Sequence, residues 1–389
     1  RYAAYLLQPT GPPLGVDLGA ARPLDTLVLS WRSWLLDRTS PTDGAVQNLA
    51  RELHKRLLAP LGNRLGAKHL LIAPDGQLNA LPFAALVKGN GRYLLAGHTL
   101  TYLASGRELP RLGQKAPPPK SAPLVVGGPD FARAKPGSMI ASQPSPVLVA
   151  AEGDVPERAG AEGMRSGDNP RSPDLAGFTV RPLPGAAVEA KTVANLLGNA
   201  RLLTGPLATE NALKAARSPV LLHLATHGFF LADKSAPPSE LGGEEPLLRS
   251  GVALAGFNAR TSGTEDGVLT ALEAQSLELD GTRLVVLSAC DTGAGPVLGG
   301  EGVQGLRRSL ALAGAQSQVL ALWPVGDRTT ARLMEQFYRG LGLGLGRSEA
   351  LRRAQLGVAG MAGLGHPYWW AAFAPSGDWR PVTFSTRSP

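Results

Sequence analysis

The stretch LVVLSACDTGAG, residues 284–295, runs from an unbroken apolar segment into the chain's one cysteine and then into glycines. A short apolar run stopped by small residues predicts a strand buried on both faces, with a turn directly after it. Cys290 is therefore expected at the end of a strand. Two readings of it are open: a small buried hydrophobe, or a thiol placed for chemistry.

A second stretch has the same layout. PVLLHLATHG, residues 219–228, is an apolar run that ends in His227 and Gly228. Around these two, strand and helix patterns alternate from Phe178 onward. AAVEAKTVANLLG predicts a helix that stops at Gly198, and ARLLTG a strand. ATENALKAAR reads as a helix and SGVALAG as a strand. Thr270 and Glu273 form a capping box that starts another helix. GVQGLRRSLALAGA is a helix, SQVLALWP a strand, TARLMEQFYRGL and SEALRRAQLGVA are helices, and WWAAFAPSG is a last strand. Alternation of this kind predicts an α/β fold, a mostly parallel sheet flanked by helices.

Such sheets gather function at the carboxyl ends of their strands. If the strands of His227 and Cys290 are neighbours, both side chains emerge at one rim. A thiol near its ordinary pKa is only a few per cent thiolate at neutral pH, so a neighbouring imidazole is what would activate it. Gly228 lets substrate backbone approach, and its N–H together with that of Cys290 is a candidate oxyanion hole. His227 also has a purely structural reading, and His223, inside the same strand, is expected to be a core histidine.

Composition narrows the function classes. With 389 residues the chain is long for one core, and 43% hydrophobic against 18% charged residues describes a folded protein. One cysteine excludes an intrachain disulfide and argues against thiolate metal sites; it fits a reducing, cytoplasmic setting. His54, His69, His98 and His366 show no metal-binding spacing, and no metal or other cofactor is expected. The net charge of +8 comes from dispersed arginines without aromatic interleaving, which argues against nucleic acid. GLGLGLG at 340–346 follows a helix where a nucleotide loop would follow a strand, so a ligand-binding domain of that type is disfavoured. No run is long enough for a membrane span. The start RYAAYLLQPTGPP has no secretory layout and no initiator Met, and reads as the middle of a longer protein.

Three regions are expected. Residues 1–128 form an N-terminal lobe with helices in TLVLSWRSWLL and from Val46 to Leu61, and strands in HLLIA, YLLAGHTLTYLAS and PLVVGG. Residues 129–175, rich in Pro, Gly, Ser and Arg, form a flexible linker or insertion. Residues 176–389 carry the sheet with His227 and Cys290.

HLATHG and LSACDTG together resemble the signature pair of CHAT-domain proteins, in the caspase, separase and gingipain clan of cysteine peptidases. LIAPDGQLNALPFAAL, LLTGPLATENAL, GEGVQGLRRSLALAGAQSQVLALWPV and HPYWWAAFAPSGD stand in that family's order, so the resemblance covers roughly residues 60–380. It implies a caspase-hemoglobinase-like fold with a non-catalytic, pseudo-caspase-like N-terminal lobe. It also implies a cysteine endopeptidase with His227 as acid-base, Cys290 as nucleophile, and the Gly228 and Cys290 N–H groups as the oxyanion hole. Tetratricopeptide helices before the domain, a protein substrate that includes gasdermin-like pore formers, and prokaryotic signalling, defence or programmed cell death are further implications. The alternative is a catalytically inert scaffold.

The clan's pocket for the residue before the cleaved bond points to Ser288, Trp323, Val325 and Asp327. Asp291, Glu301 and Asp327 would make its rim acidic and favour a basic residue, which would also make the linker a self-cleavage candidate. Asp291 and Asp327 have competing roles as loop or helix caps, and the apolar surroundings leave Leu or Met open.

Overall fold

The computed structural model of the chain describes residues 1–37, 43–112, 114, 116–135, 175, 177–231, 246–288, 301–323 and 325–383. In chain order its strands are β1 (Tyr2–Leu6), β2 (Leu14–Gly19), β3 (His69–Ile72), β4 (Thr99–Tyr102), β5 (Leu124–Pro129), β6 (Arg201–Gly205) and β7 (Leu221–Ala225). After these come β8 (Gly228–Phe230), β9 (Ser250–Ala253), β10 (Val268–Thr270), β11 (Leu284–Leu287), β12 (Ser317–Ala321) and β13 (Phe373–Gly377).

An eight-stranded sheet has the order β3-β4-β13-β12-β11-β7-β5-β6. The pairings of β3 with β4, β4 with β13, β5 with β6, β5 with β7, and β7 with β11 are parallel. The apolar runs end up where a sheet covered on both faces needs them. Every residue of β7, β11 and β12 is buried, whereas most residues of the edge strands β3 and β6 are only half-buried. The expected mixed α/β fold is what the chain forms.

The chain divides into two compact units. The first comprises Arg1–Lys115, Pro296–Gln304 and Val319–Thr383; the second comprises Ala116–Gly295, Gly305–Gln318 and Phe384–Pro389. In the first unit, Trp31 of the Ala21–Leu36 helix is fully buried and its indole N–H donates to the Val46 carbonyl at 3.0 Å. Arg32, also buried, donates to the carbonyls of Ala80 and Leu322 at 2.8 and 3.3 Å, tying a helix to chain segments far away in sequence. Two expected strands are shorter than the sequence suggests. Leu94–Gly97 is a helical turn and only Thr99–Tyr102 is strand. Pro367–Trp370 is likewise a helical turn, with Pro at its first position and the His366 ring accepting from Tyr368 N–H, and the strand begins at Phe373. Short apolar runs do not distinguish a buried turn of helix from a strand, and the proline decides for helix at 367. The hairpin of β1 and β2 was not expected from the sequence; it is antiparallel and alternates half-buried with exposed residues.

In the second unit the Pro184–Leu197 helix stops at Gly198, whose φ of 73° suits glycine. That helix lies against β5 closely enough that a Cβ on Gly127 would meet Ala190 Cβ at 2.5 Å and Ala186 O at 2.9 Å. The Thr270–Glu273 capping box forms as expected. Strands β8, β9 and β10 make a separate antiparallel sheet of three. Of the expected linker, residues 129–135 and 175 are described, Pro129 as the last residue of β5; Phe131 and Leu175 are buried and join Phe229, Ala253, Phe257 and Val268 in one apolar cluster.

Glu210, Glu265 and Glu273 bring three carboxylates together in this unit. The ammonium of Lys214 lies among them, 2.8 Å from Glu210 and 3.0 Å from each of the others. Burial pushes the Glu210 carboxyl up to about 7, against the pull of Lys214. A carboxyl raised on folding adds stability that is full below its unfolded pKa and lost as pH rises through its folded one. Lys214→Met, which leaves the carboxylates facing one another, is therefore expected to cost about 3 kcal/mol near neutral pH. The deficit shrinks as pH falls from 7 towards 5 and Glu210 takes up its proton. Urea unfolding of wild type and variant at both pH values checks this, and a deficit that grows on acidification would refute it.

Candidate active site

The strands of the two signature motifs are direct neighbours. β7 and β11 pair in parallel, with Leu221 opposite Leu284 and Leu224 opposite Leu287. The ladder continues past the last pair, since Ser288 N–H donates to the Leu224 carbonyl at 2.9 Å. His227 follows Leu224 by three residues, and Cys290 follows Leu287 by three. Cys290 and Asp291 lie outside the described residues.

His227 is held from several sides. Its carbonyl accepts from Ala253 N–H at 2.9 Å, and the preceding Thr226 hydroxyl donates to the Ala253 carbonyl. Its ring is buried, 2% exposed, and stands 5.2 Å from the Phe131 ring at a 45° tilt. Ring Nε2 is 2.7 Å from the carbonyl oxygen of Arg181. A carbonyl can only accept, so Nε2 carries the proton and the lone pair of the neutral ring sits on Nδ1.

His223 is the core histidine the sequence predicts. It is fully buried in β7, and its Nε2 lies 3.1 Å from Glu189 Oε1, on the Pro184–Leu197 helix. One short length of chain, from Arg181 to Glu189, thus reaches both histidines.

The remaining candidates lie on several elements. Gly228 opens β8 opposite Val252 of β9. Ser288 is half-buried at the end of β11, and its hydroxyl oxygen is buried with no hydrogen-bond partner among the described residues. Glu301 begins the Glu301–Leu312 helix, and its side chain lies outside the described residues. Trp323, Val325 and Asp327 belong to the first unit. Trp323 is buried, with its indole N–H committed to the Tyr368 carbonyl at 3.0 Å, and Val325 is half-buried. Asp327 does not cap its helix. Gly326 holds that position and Asp327 is the first residue of the Asp327–Gly342 helix, where a carboxylate favours the helix dipole instead.

Sequence reasoning missed Arg181, Phe131, Asn258 and Arg260. Arg181 contributes a backbone carbonyl, which carries no residue signature at all. Phe131 falls in the expected linker. Asn258 and Arg260 act on backbone atoms of residues 175–180 from a turn with no motif of its own.

Several known proteins are similar to this chain. A mouse tetratricopeptide repeat protein 28 is 29% identical over 214 residues, which is 51% of this chain and 9% of that protein. The human tetratricopeptide repeat protein 28 is 28% identical over 209 residues, 49% of this chain and 8% of that protein. The chain thus matches under a tenth of the length of these curated relatives. Among solved structures, the Saccharomyces cerevisiae separase–securin complex has a TM-score of 0.38 at 12% identity, covering 77% of this chain and 15% of that one. The Arg-specific cysteine proteinase gingipain R has a TM-score of 0.41 at 8% identity, covering 93% and 76%. The model of the CHAT domain family matches residues 47–378, a span that takes in β7 and β11 with both motifs that follow them. The chain belongs to the CHAT domain family.

Proposed function

We propose that the chain is a cysteine endopeptidase in which His227 and Cys290 act as a dyad on a protein substrate. The observation that carries this reading is the parallel register of β7 and β11, from which the two residues follow at equal distance. In this mechanism His227 Nδ1 takes the thiol proton while Nε2–H stays on the Arg181 carbonyl. The thiolate adds to the scissile carbonyl, and the Gly228 and Cys290 N–H groups receive the oxyanion. The C–N bond breaks as imidazolium Nδ1–H protonates the leaving amine, and water then hydrolyses the thioester. Ser288, at the end of β11, is assigned to the pocket for the residue before the cleaved bond.

The tetratricopeptide repeat protein 28 relatives and the family resemblance support a tetratricopeptide region in the full protein. The lone cysteine supports a cytoplasmic setting, and the resemblance alone supports a signalling, defence or cell-death pathway with a gasdermin-like substrate. Among the described residues no helix is long and apolar enough to cross a membrane. The near-complete burial of His227 favours a second reading, an inert scaffold.

A peptidyl acyloxymethyl ketone separates the two. The expected result is one adduct per wild-type chain, at Cys290, and none in His227→Ala. An unlabelled wild-type chain would reject the peptidase.

A further inference from the structure

Residues 177–183 run from the apolar cluster to the start of the Pro184–Leu197 helix and form a strap whose Arg181 carbonyl meets His227. The turn at 256–261 grips this strap. The Asn258 amide engages both backbone groups of Val180, accepting from its N–H and donating to its carbonyl, each at 2.9 Å. Arg260 Nη2 donates to the carbonyls of Leu175 and Phe178 at 2.7 and 3.0 Å. The same guanidinium lies 4.3 Å over the Phe257 ring, and Phe178 packs on Phe257 and Phe229. The turn holds the opposite flank of His227 as well. Gly256 N–H donates to Asp130 O and Asn258 N–H to Phe131 O, at 2.9 and 2.8 Å, and Phe131 is the ring beside the imidazole. Arg260 itself sits at φ 52°, ψ 40°, left-handed backbone that a non-glycine residue rarely adopts.

We propose that Asn258 and Arg260 are positioning residues, holding the strap so that the Arg181 carbonyl keeps His227 in its Nε2–H tautomer. Both act through the strap. The kinetic consequence rests on the peptidase reading, and the tautomer does not.

Two variants test this. Asn258→Leu removes both hydrogen bonds to Val180 at similar volume. Arg260→Gly removes the guanidinium while relieving the left-handed backbone, so it guards against misfolding. Long-range proton–nitrogen spectra of histidine-labelled protein distinguish the tautomers, with the His227 signal assigned by its loss in His227→Ala. Wild type is expected to show Nε2–H alone, and both variants a mixture. In the variants, kcat on a peptide substrate falls roughly 10- to 100-fold while KM changes less than about threefold. A pure Nε2–H tautomer in either variant overturns the inference; mixed tautomers with unchanged kcat uphold the positioning role and overturn its kinetic consequence. Tautomers that mix in the variants of a wild-type protein that cleaves nothing uphold the positioning role and reject the peptidase reading instead.

Discussion

Cys290→Ala is expected to reduce peptide cleavage to background, a loss of roughly 10⁴-fold or more, the scale seen when a covalent nucleophile is deleted. Alanine supplies no lone pair to attack the scissile carbonyl, and no second thiol exists in the chain to replace it. The substitution is small and follows a strand end, so stability should stay within about 1 kcal/mol of wild type by urea unfolding. His227→Ala should show the same kinetic loss for a different reason: the thiol remains but is mostly protonated at neutral pH. The two losses should not add, because the residues act as a unit. A titration with a disulfide reagent gives an internal check, since the wild-type chain offers a single reactive thiol and the Cys290→Ala chain none. Full cleavage by Cys290→Ala would remove Cys290 from the reaction, and with it the dyad.

The largest stability effect is expected at Gly256. Its φ is 83°, in the left-handed region where a side chain is strained, and a Cβ built there would lie 1.6 Å from the Thr261 carbonyl oxygen. That oxygen also accepts no rescue from a flexible side chain, because it belongs to the backbone of the same turn. The turn is internally bonded: Ala259 and Thr261 N–H both donate to the Gly256 carbonyl, at 3.0 and 3.1 Å. Gly256→Ala must therefore open the turn, and the expected cost is about 2–5 kcal/mol in urea unfolding, combining backbone strain with overpacking. The loss reaches the candidate site, since this turn holds both Asp130–Phe131 and the strap. Gly62 makes a useful comparison. It too has positive φ, 60°, but a Cβ there would meet nothing within 4 Å. Gly62→Ala should pay the conformational strain alone, about 1–3 kcal/mol at its φ 60°, ψ −145°. Equal losses at the two positions would contradict the steric argument at Gly256.

Much of the second unit was legible before any coordinates. LVVL and LLHLA are apolar at every position or nearly so, and a strand inside a parallel sheet covered by helices has no solvent face to mark with a polar residue. Thr270 and Glu273 announced a helix start because a capping box is a local contact between residues three apart. His223 could be separated from His227 by position alone: one is inside the apolar run, the other past its end. The first unit was harder. Leu94–Gly97 and Pro367–Trp370 are single turns of helix whose apolar residues are buried on all sides, so no period of 3.6 had room to appear. The β1–β2 hairpin alternates only between half-buried and exposed positions, which leaves little hydrophobic contrast to read.

By itself the sequence determined the mostly parallel α/β architecture, the place of His227 just past the end of β7, and, through the ordered motifs, the family. All of these depend on residue types and short spacings, which a linear chain displays. Only the tertiary structure decided that β7 and β11 are neighbours, that Glu189 faces His223, and that the Arg181 carbonyl fixes the His227 tautomer. Strand order is set by how whole layers pack, and a carbonyl oxygen is present on every residue. Which of them meets an imidazole depends on where the chain is held, here by Asn258 and Arg260 from a turn 78 and 82 residues further on.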